Sequence, residues 1–226
     1  MSTPSSTSYK LILFDPAHIT ETAELLYISK LGLTINRLLF KDWPNEAMQR
    51  KNYTSVIENL PGSEFEGITA VDEVSGEVLA HLAIRRKTPV ANNDEEEKGK
   101  GGAAAAAPAA PEIPEFFNAE VFSAVRAAVS ELSQGLEEVD HLELTYIVVK
   151  PAHRGRGIGK ALMEFVFERA KALGIPIAVS AEPQLYEYFK KRAFTDRHHV
   201  DFELAKWAPP YSGFGTFRLA GLMWYP

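Results

Sequence analysis

The stretch Leu142–Leu162, LELTYIVVKPAHRGRGIGKAL, constrains this chain more than any other. The length of its first eight residues, LELTYIVV, and their β-branched end predict a largely buried strand over Leu142–Val149. Ile158, Leu162, Phe165, Val166, Ala170 and Leu173 then share one helical face, and Gly174 and Pro176 stop the helix. Between strand and helix stand Gly155, Gly157 and Gly159. Glycines let backbone N–H groups approach a ligand closely, and the first turn of a helix offers unpaired donors at its positive dipole end. Together they make a cradle for phosphate or pyrophosphate, to which Arg154, Arg156 and Lys160 add charge. The plainer reading is a tight turn with no ligand, in which Arg156 and Lys160 are solvated surface charges. Two nucleotide motifs are excluded. The turn lacks the third-glycine spacing of G-x-G-x-x-G, and it does not match G-x-x-x-x-G-K-[ST].

The elements before this stretch read β-α-α-β-β. Tyr9–Phe14 is a short strand closed by Asp15-Pro16, followed by helical texture to about Phe40 that breaks near Gly32. A second helix spans Asn45–Asn59, and Phe65–Val71 with Glu77–Arg86 forms an antiparallel hairpin around Ser75-Gly76. Thr88–Pro114 (TPVANNDEEEKGKGGAAAAAPAAPEIP) has almost nothing to bury, which predicts a flexible insertion. Beyond it Phe117, Val121, Ala124, Val125, Ala128 and Leu132 predict a helix ending near Gly135. After the glycine turn and its helix come a strand at Ile175–Ser180, a short helix at Pro183–Arg192, a strand carrying Val200, Phe202 and Leu204, and a last strand within Thr216–Tyr225.

Composition removes several classes of function. With 46% hydrophobic and 11% aromatic residues over 226 positions, the chain is not disordered overall. A net charge of −6 argues against duplex binding through a basic face. The absence of cysteine rules out a disulfide framework, a thiolate metal site and a cysteine nucleophile. The polar start, Met1–Ser8, does not read as a signal peptide, and no apolar run approaches the roughly 18 residues of a membrane span. The expectation is a soluble protein of the cytoplasm or nucleus, with no nucleic-acid or membrane partner.

The glycine turn resembles the acetyl-CoA signature of the Gcn5-related N-acetyltransferase (GNAT) superfamily, Q/R-x-x-G-x-G/A after a strand and opening a helix. Arg154, Gly157 and Gly159 fill its fixed positions. Val149, Pro151, Arg154, Gly155, Gly157, Ile158 and Gly159 meet the longer V-x-P-x-x-R-G-x-G-I-G form. The order of elements is similar to the family's over almost the whole chain, and the helix around Val121 and the long loop look like insertions of many fungal members. The resemblance implies an α/β (α+β) fold, with a mixed central sheet of about six to seven strands flanked by helices and splayed central strands that bind acetyl-CoA. It implies that one N-acetyltransferase domain covers residues 1–226, with 88–114 as a loop within it.

By the same resemblance, the backbone of Ile147, Val148 and Val149 bonds the pantetheine arm. The amides of Gly155, Arg156, Gly157, Ile158, Gly159 and Lys160 cradle the pyrophosphate of coenzyme A beside Arg154, and Ser180 is a further contact. The implied chemistry is direct acetyl transfer to an amine, which must lose a proton before attack while the departing thiolate gains one. Glu143 is the expected base. It stands eleven residues before Arg154, as the catalytic glutamate does in histone-acetylating members, and alternation puts it on one face with Thr145, Ile147 and Val149. A solvated carboxylate is the competing reading. The family's tyrosine acid, counted back from Phe194, falls on Phe189, and Ala193 replaces the usual glycine. Tyr186, in the string Leu185-Tyr186-Glu187, is then the first choice for the acid and Tyr188 the second.

His18, His81, His141, His153, His198 and His199 are scattered, and the chemistry needs no metal. The expected partner is an amine-bearing small molecule or peptide, handled by a monomer or homodimer. Arg85, Arg86 and Lys87 leave the acceptor's charge open. The alternative function is a non-catalytic acyl-CoA-binding regulatory domain.

Overall fold

The computed structural model describes residues 8–60, 65–89 and 113–226. Most of the expected 88–114 insertion, residues 90–112, therefore lies outside the described residues. In chain order the elements are β1 (Tyr9–Leu13), α1 (Ile19–Lys30), α2 (Asn36–Leu39), α3 (Glu46–Glu58), β2 (Phe65–Asp72), β3 (Val78–Lys87), α4 (Ala119–Ser133), β4 (His141–Val149), α5 (Ile158–Leu173), β5 (Ile177–Ala181), α6 (Pro183–Lys190), β6 (Thr195–Glu203) and β7 (Thr216–Trp224). The seven strands form one sheet in the order β1-β2-β3-β4-β5-β7-β6. All pairs are antiparallel except β4 with β5. This is the mixed α/β architecture expected from the sequence.

Local chemistry sets the element ends. The Asp15 carboxylate accepts the Ala17 N–H at 2.9 Å, and Pro16 begins a short 3-10 turn ahead of α1. Asn118 caps α4 in the same way, accepting the Glu120 N–H at 3.1 Å. Gly174 closes α5 in the left-handed conformation, φ +66°.

One face of the sheet carries α5 and α6. Ile158, Leu162, Met163, Val166 and Ala170 of α5 are each no more than 1% exposed and pack on Leu79, Leu82, Leu144, Ile147 and Ile177. Burying each large side chain contributes about 1.5–3 kcal/mol, which fixes α5 and hence the turn that leads into it. On the other face α1 and α3 cover Val71, Val78 and Val148, and α4 packs Val121, Ala128 and Leu132 on Phe202, Phe217 and Leu219.

Two irregularities in β4 shape the centre of the sheet. Its parallel pairing with β5 covers only Leu142↔Ile177, Glu143↔Ala178 and Leu144↔Val179, so the half-strand from Thr145 to Val149 has no partner on that side. These are the splayed central strands. A bulge also lies within β4, because Ala83 pairs with Tyr146 and the adjacent Ile84 pairs with Leu144, leaving Thr145 as the extra residue. The bulge overturns the expected alternation. Leu142, Leu144, Ile147 and Val149 share the α5 face, whereas Glu143 shares the opposite face with Tyr146 and Val148.

Candidate active site

The splay opens into a cleft of about 540 Å³. Its floor is Leu144–Val149 of β4 with Val179 and Ser180 of β5. Leu185, Tyr188 and Phe189 of α6 make one wall, and the turn from His153 to Lys160 makes the rim.

The turn is built for close approach. Gly155 and Gly157 have φ of +76° and +83°, conformations that side chains with a Cβ adopt only under strain. A Cβ added to either would meet nothing within 4 Å, so the space above them is open. Gly157 caps α5 without any side-chain hydrogen bond, and the first intrahelical bond runs from Ala161 N–H to Gly157 O at 3.0 Å. The N–H groups of Ile158, Gly159 and Lys160 thus have no intrahelical acceptor and face the positive end of the helix dipole. Such an arrangement receives an anion. The His153 Nδ1 is buried without a hydrogen-bond partner at the same rim, and burial and the nearby Arg156 and Lys150 charges lower its pKa.

The structure brings together most of the expected site residues. Ile147, Val148, Val149, Arg154, Gly155, Gly157, Ile158, Gly159, Lys160 and Ser180 line one cavity, and Arg156 lies outside its lining. Arg154 Nε donates to the Val149 carbonyl at 3.2 Å, tying the turn back to the strand.

It separates the two expected catalytic residues from that cavity. Helical phase turns Leu185, Tyr188, Phe189 and Arg192 toward the cleft, and Tyr186 out of it. The Tyr186 hydroxyl donates to Asp196 Oδ1 at 2.9 Å on the surface, a bond that raises its pKa. Tyr186, the first choice for the acid, thus stands outside the cleft lining. Tyr188, the second choice, lines the cleft with its hydroxyl on the Gly159 carbonyl at 2.7 Å. Burial raises the Tyr188 pKa, against the opposing charge of Arg192.

Glu143 faces a neighbouring cavity of about 340 Å³ beneath the C-terminal end of α4. Its Oε2 accepts Arg85 Nη2 at 2.8 Å, with Lys87 Nζ at 3.8 Å. The two cavities share Val179 and Ser180, but Glu143 lines only the second.

Sequence reasoning missed Ser29, Lys30, Tyr146 and Glu182, which also line the first cleft. The Tyr146 hydroxyl is buried with no hydrogen-bond partner, and burial raises its pKa. The available signal for Glu182 was its place between the end of β5 and Pro183, beside the strand ends where open sheets form sites.

Residues 116–195 match the family model described as Acetyltransferase (GNAT) family. Among curated proteins no sequence matches the chain. Among solved structures, a mosquito arylalkylamine N-acetyltransferase like 5b superposes with a TM-score of 0.59 at 16% identity, covering 97% of this chain and 100% of the other. A protein from Corynebacterium glutamicum described as histone acetyltransferase HPA2 and related acetyltransferase gives 0.56 at 17% identity, covering 97% of each chain. At these identities the likeness concerns the fold.

Proposed function

We propose that this chain, whose residues 116–195 match the acetyltransferase (GNAT) family model, transfers the acetyl group of acetyl-CoA directly to an amine. One observation carries this reading: the uncapped first turn of α5, open above Gly157, stands at the end of a sheet splayed between β4 and β5. An acyl-CoA has that shape, a dianionic diphosphate joined to a narrow, amide-containing arm.

The chain's own residues divide the work. The amides from Gly155 to Lys160 receive the diphosphate, with Lys160 and Arg154 supplying charge at the rim. The unpaired edge of Ile147–Val149 lies along the arm as a neighbouring strand would, and Ser180 faces it across the splay. Acetyl-CoA supplies a thioester carbonyl, which the amine nitrogen attacks; the carbon–sulfur bond then breaks and the sulfur takes a proton. Tyr188 is the proposed donor of that proton, because it lines the cleft and burial keeps its phenol protonated. Glu143, expected as base, is held by Arg85 and Lys87 in the adjoining cavity, and its proposed role is to order that wall. The proposed acceptor is an amine on a small molecule or peptide; the descriptions of two structural neighbours name an arylalkylamine and a histone.

The test is release of CoA thiol from acetyl-CoA against a panel of primary amines. Saturable, amine-dependent release is expected. Saturable acetyl-CoA binding with no release for any amine contradicts transfer.

A further inference from the structure

The cleft is also lined by an ion pair beyond the end of β5. There Lys30, the last residue of α1, forms an ion pair with Glu182, which joins β5 to α6. Both line the cavity, and their side chains are only 21% and 19% exposed. Among the described residues lining the cleft, Glu182 is the single carboxylate. Its Oε1 takes the Lys30 ammonium, and its Oε2 accepts Gln184 Nε2 at 2.7 Å. Leu144, Ile147, Val148 and Leu185 add apolar lining to the same cleft.

A partly buried carboxylate in a cleft needs a cation, and here the fold supplies one. That cation is a primary alkylammonium, the same group an aliphatic amine carries near neutral pH. We propose that Glu182 is the subsite for the acceptor's ammonium group, and that Lys30 occupies it until a substrate of the primary alkylammonium class displaces it. The inference rests on the reading of the cleft as an acetyl-transfer site and names what that site accepts.

The same carboxylate then serves the chemistry. Glu182 takes one proton from the incoming ammonium, leaving a neutral amine whose lone pair forms the new carbon–nitrogen bond to the thioester carbonyl. The carbon–sulfur bond breaks, and the sulfur receives the Tyr188 proton. The nitrogen's second proton restores the Tyr188 phenol, and the proton on Glu182 passes to water. One ammonium and one thioester thus give one amide, one thiol and one proton.

The experiment uses the full chain with acetyl-CoA and, as probes, propylamine and phenethylamine. Glu182→Gln keeps the side-chain volume while removing the charge. It is expected to leave acetyl-CoA affinity within about twofold and to lower kcat/KM for both amines by about 100-fold. Glu182→Asp should recover part of the loss. Lys30→Met removes the competing ammonium and should lower KM for the amines several-fold. If the wild type acetylates amines but Glu182→Gln stays within about twofold of it, this inference is overturned and the transferase reading stands. If Lys30→Met raises KM, the displacement idea fails. A wild type with no transfer to any amine overturns both.

Discussion

The Tyr188 hydroxyl donates to the Gly159 carbonyl at 2.7 Å, while the Arg192 guanidinium carbon lies 3.5 Å from the centre of its ring. The hydrogen bond joins α6 to the first turn of α5 and the Arg192 contact packs on the same ring, so the proposed proton donor is tied directly to the proposed diphosphate cradle. Tyr188→Phe should lower kcat by about 10- to 100-fold with acetyl-CoA affinity little changed. Its stability cost should be about 1 kcal/mol, the ordinary worth of one hydrogen bond. Steady-state kinetics with a binding titration check this, and unchanged kcat removes Tyr188 from the chemistry.

Gly159 tests the same junction from the other side. A Cβ there would stand 3.2 Å from the Tyr188 hydroxyl oxygen and 3.5 Å from Val149 Cγ2. Gly159→Ala should therefore displace Tyr188 and reduce kcat in the manner of Tyr188→Phe. Because both changes act on one hydroxyl, the double variant should fall well short of the summed losses. Fully additive losses would show that the two residues act separately.

Glu143 offers a contrast with Glu182. Its ion pair with Arg85 joins side chains 31% and 28% exposed, a setting in which such pairs contribute at most about 1 kcal/mol. Glu143→Gln should change kcat/KM by less than about threefold. A loss near 100-fold in a folded sample would return the base to Glu143.

His81 gives the fold an acid limit. It is wholly buried on β3, with Nδ1 2.9 Å from Thr69 Oγ1 and Nε2 unpartnered, between the rings of Phe14 and Tyr146. Burial first, and the His18 charge second, lower its pKa to about 3. Below the ordinary histidine value of about 6.5 the unfolded chain takes a proton that the folded chain refuses. Stability should be complete above that pH and fall by about 1.4 kcal/mol per unit as pH drops toward 3. Denaturant melts at pH 7, 6 and 5 check this, and His81→Leu should flatten the slope.

The sequence made the glycine turn and its flanking elements readable because their signals are local. Glycine spacing, a β-branched strand and a one-sided helix all lie within about two dozen residues, and a nearest-neighbour pattern fixes each. The site's catalytic side needed three dimensions. The Thr145 bulge inverts the face that simple alternation gives Glu143, and no residue type in LELTYIVV announces it. Tyr186 and Tyr188 differ only in helical phase relative to the cleft, which depends on how α6 seats Phe189 in the core. Lys30 and Glu182 are 152 positions apart and meet because the last residue of α1 reaches the link between β5 and α6. β6 is longer than its Val200, Phe202 and Leu204 alternation suggested, since an edge strand carries polar residues on most positions and hides its period.

The most direct test of the whole account is a calorimetric titration of acetyl-CoA into the wild type and into Gly157→Glu, each shown to melt cooperatively. The substitution puts a side chain and a negative charge into the open space before α5. The account predicts saturable binding by the wild type and a loss of about 100-fold or more, roughly 2.7 kcal/mol, in the variant. Equal affinity in the two proteins would contradict it.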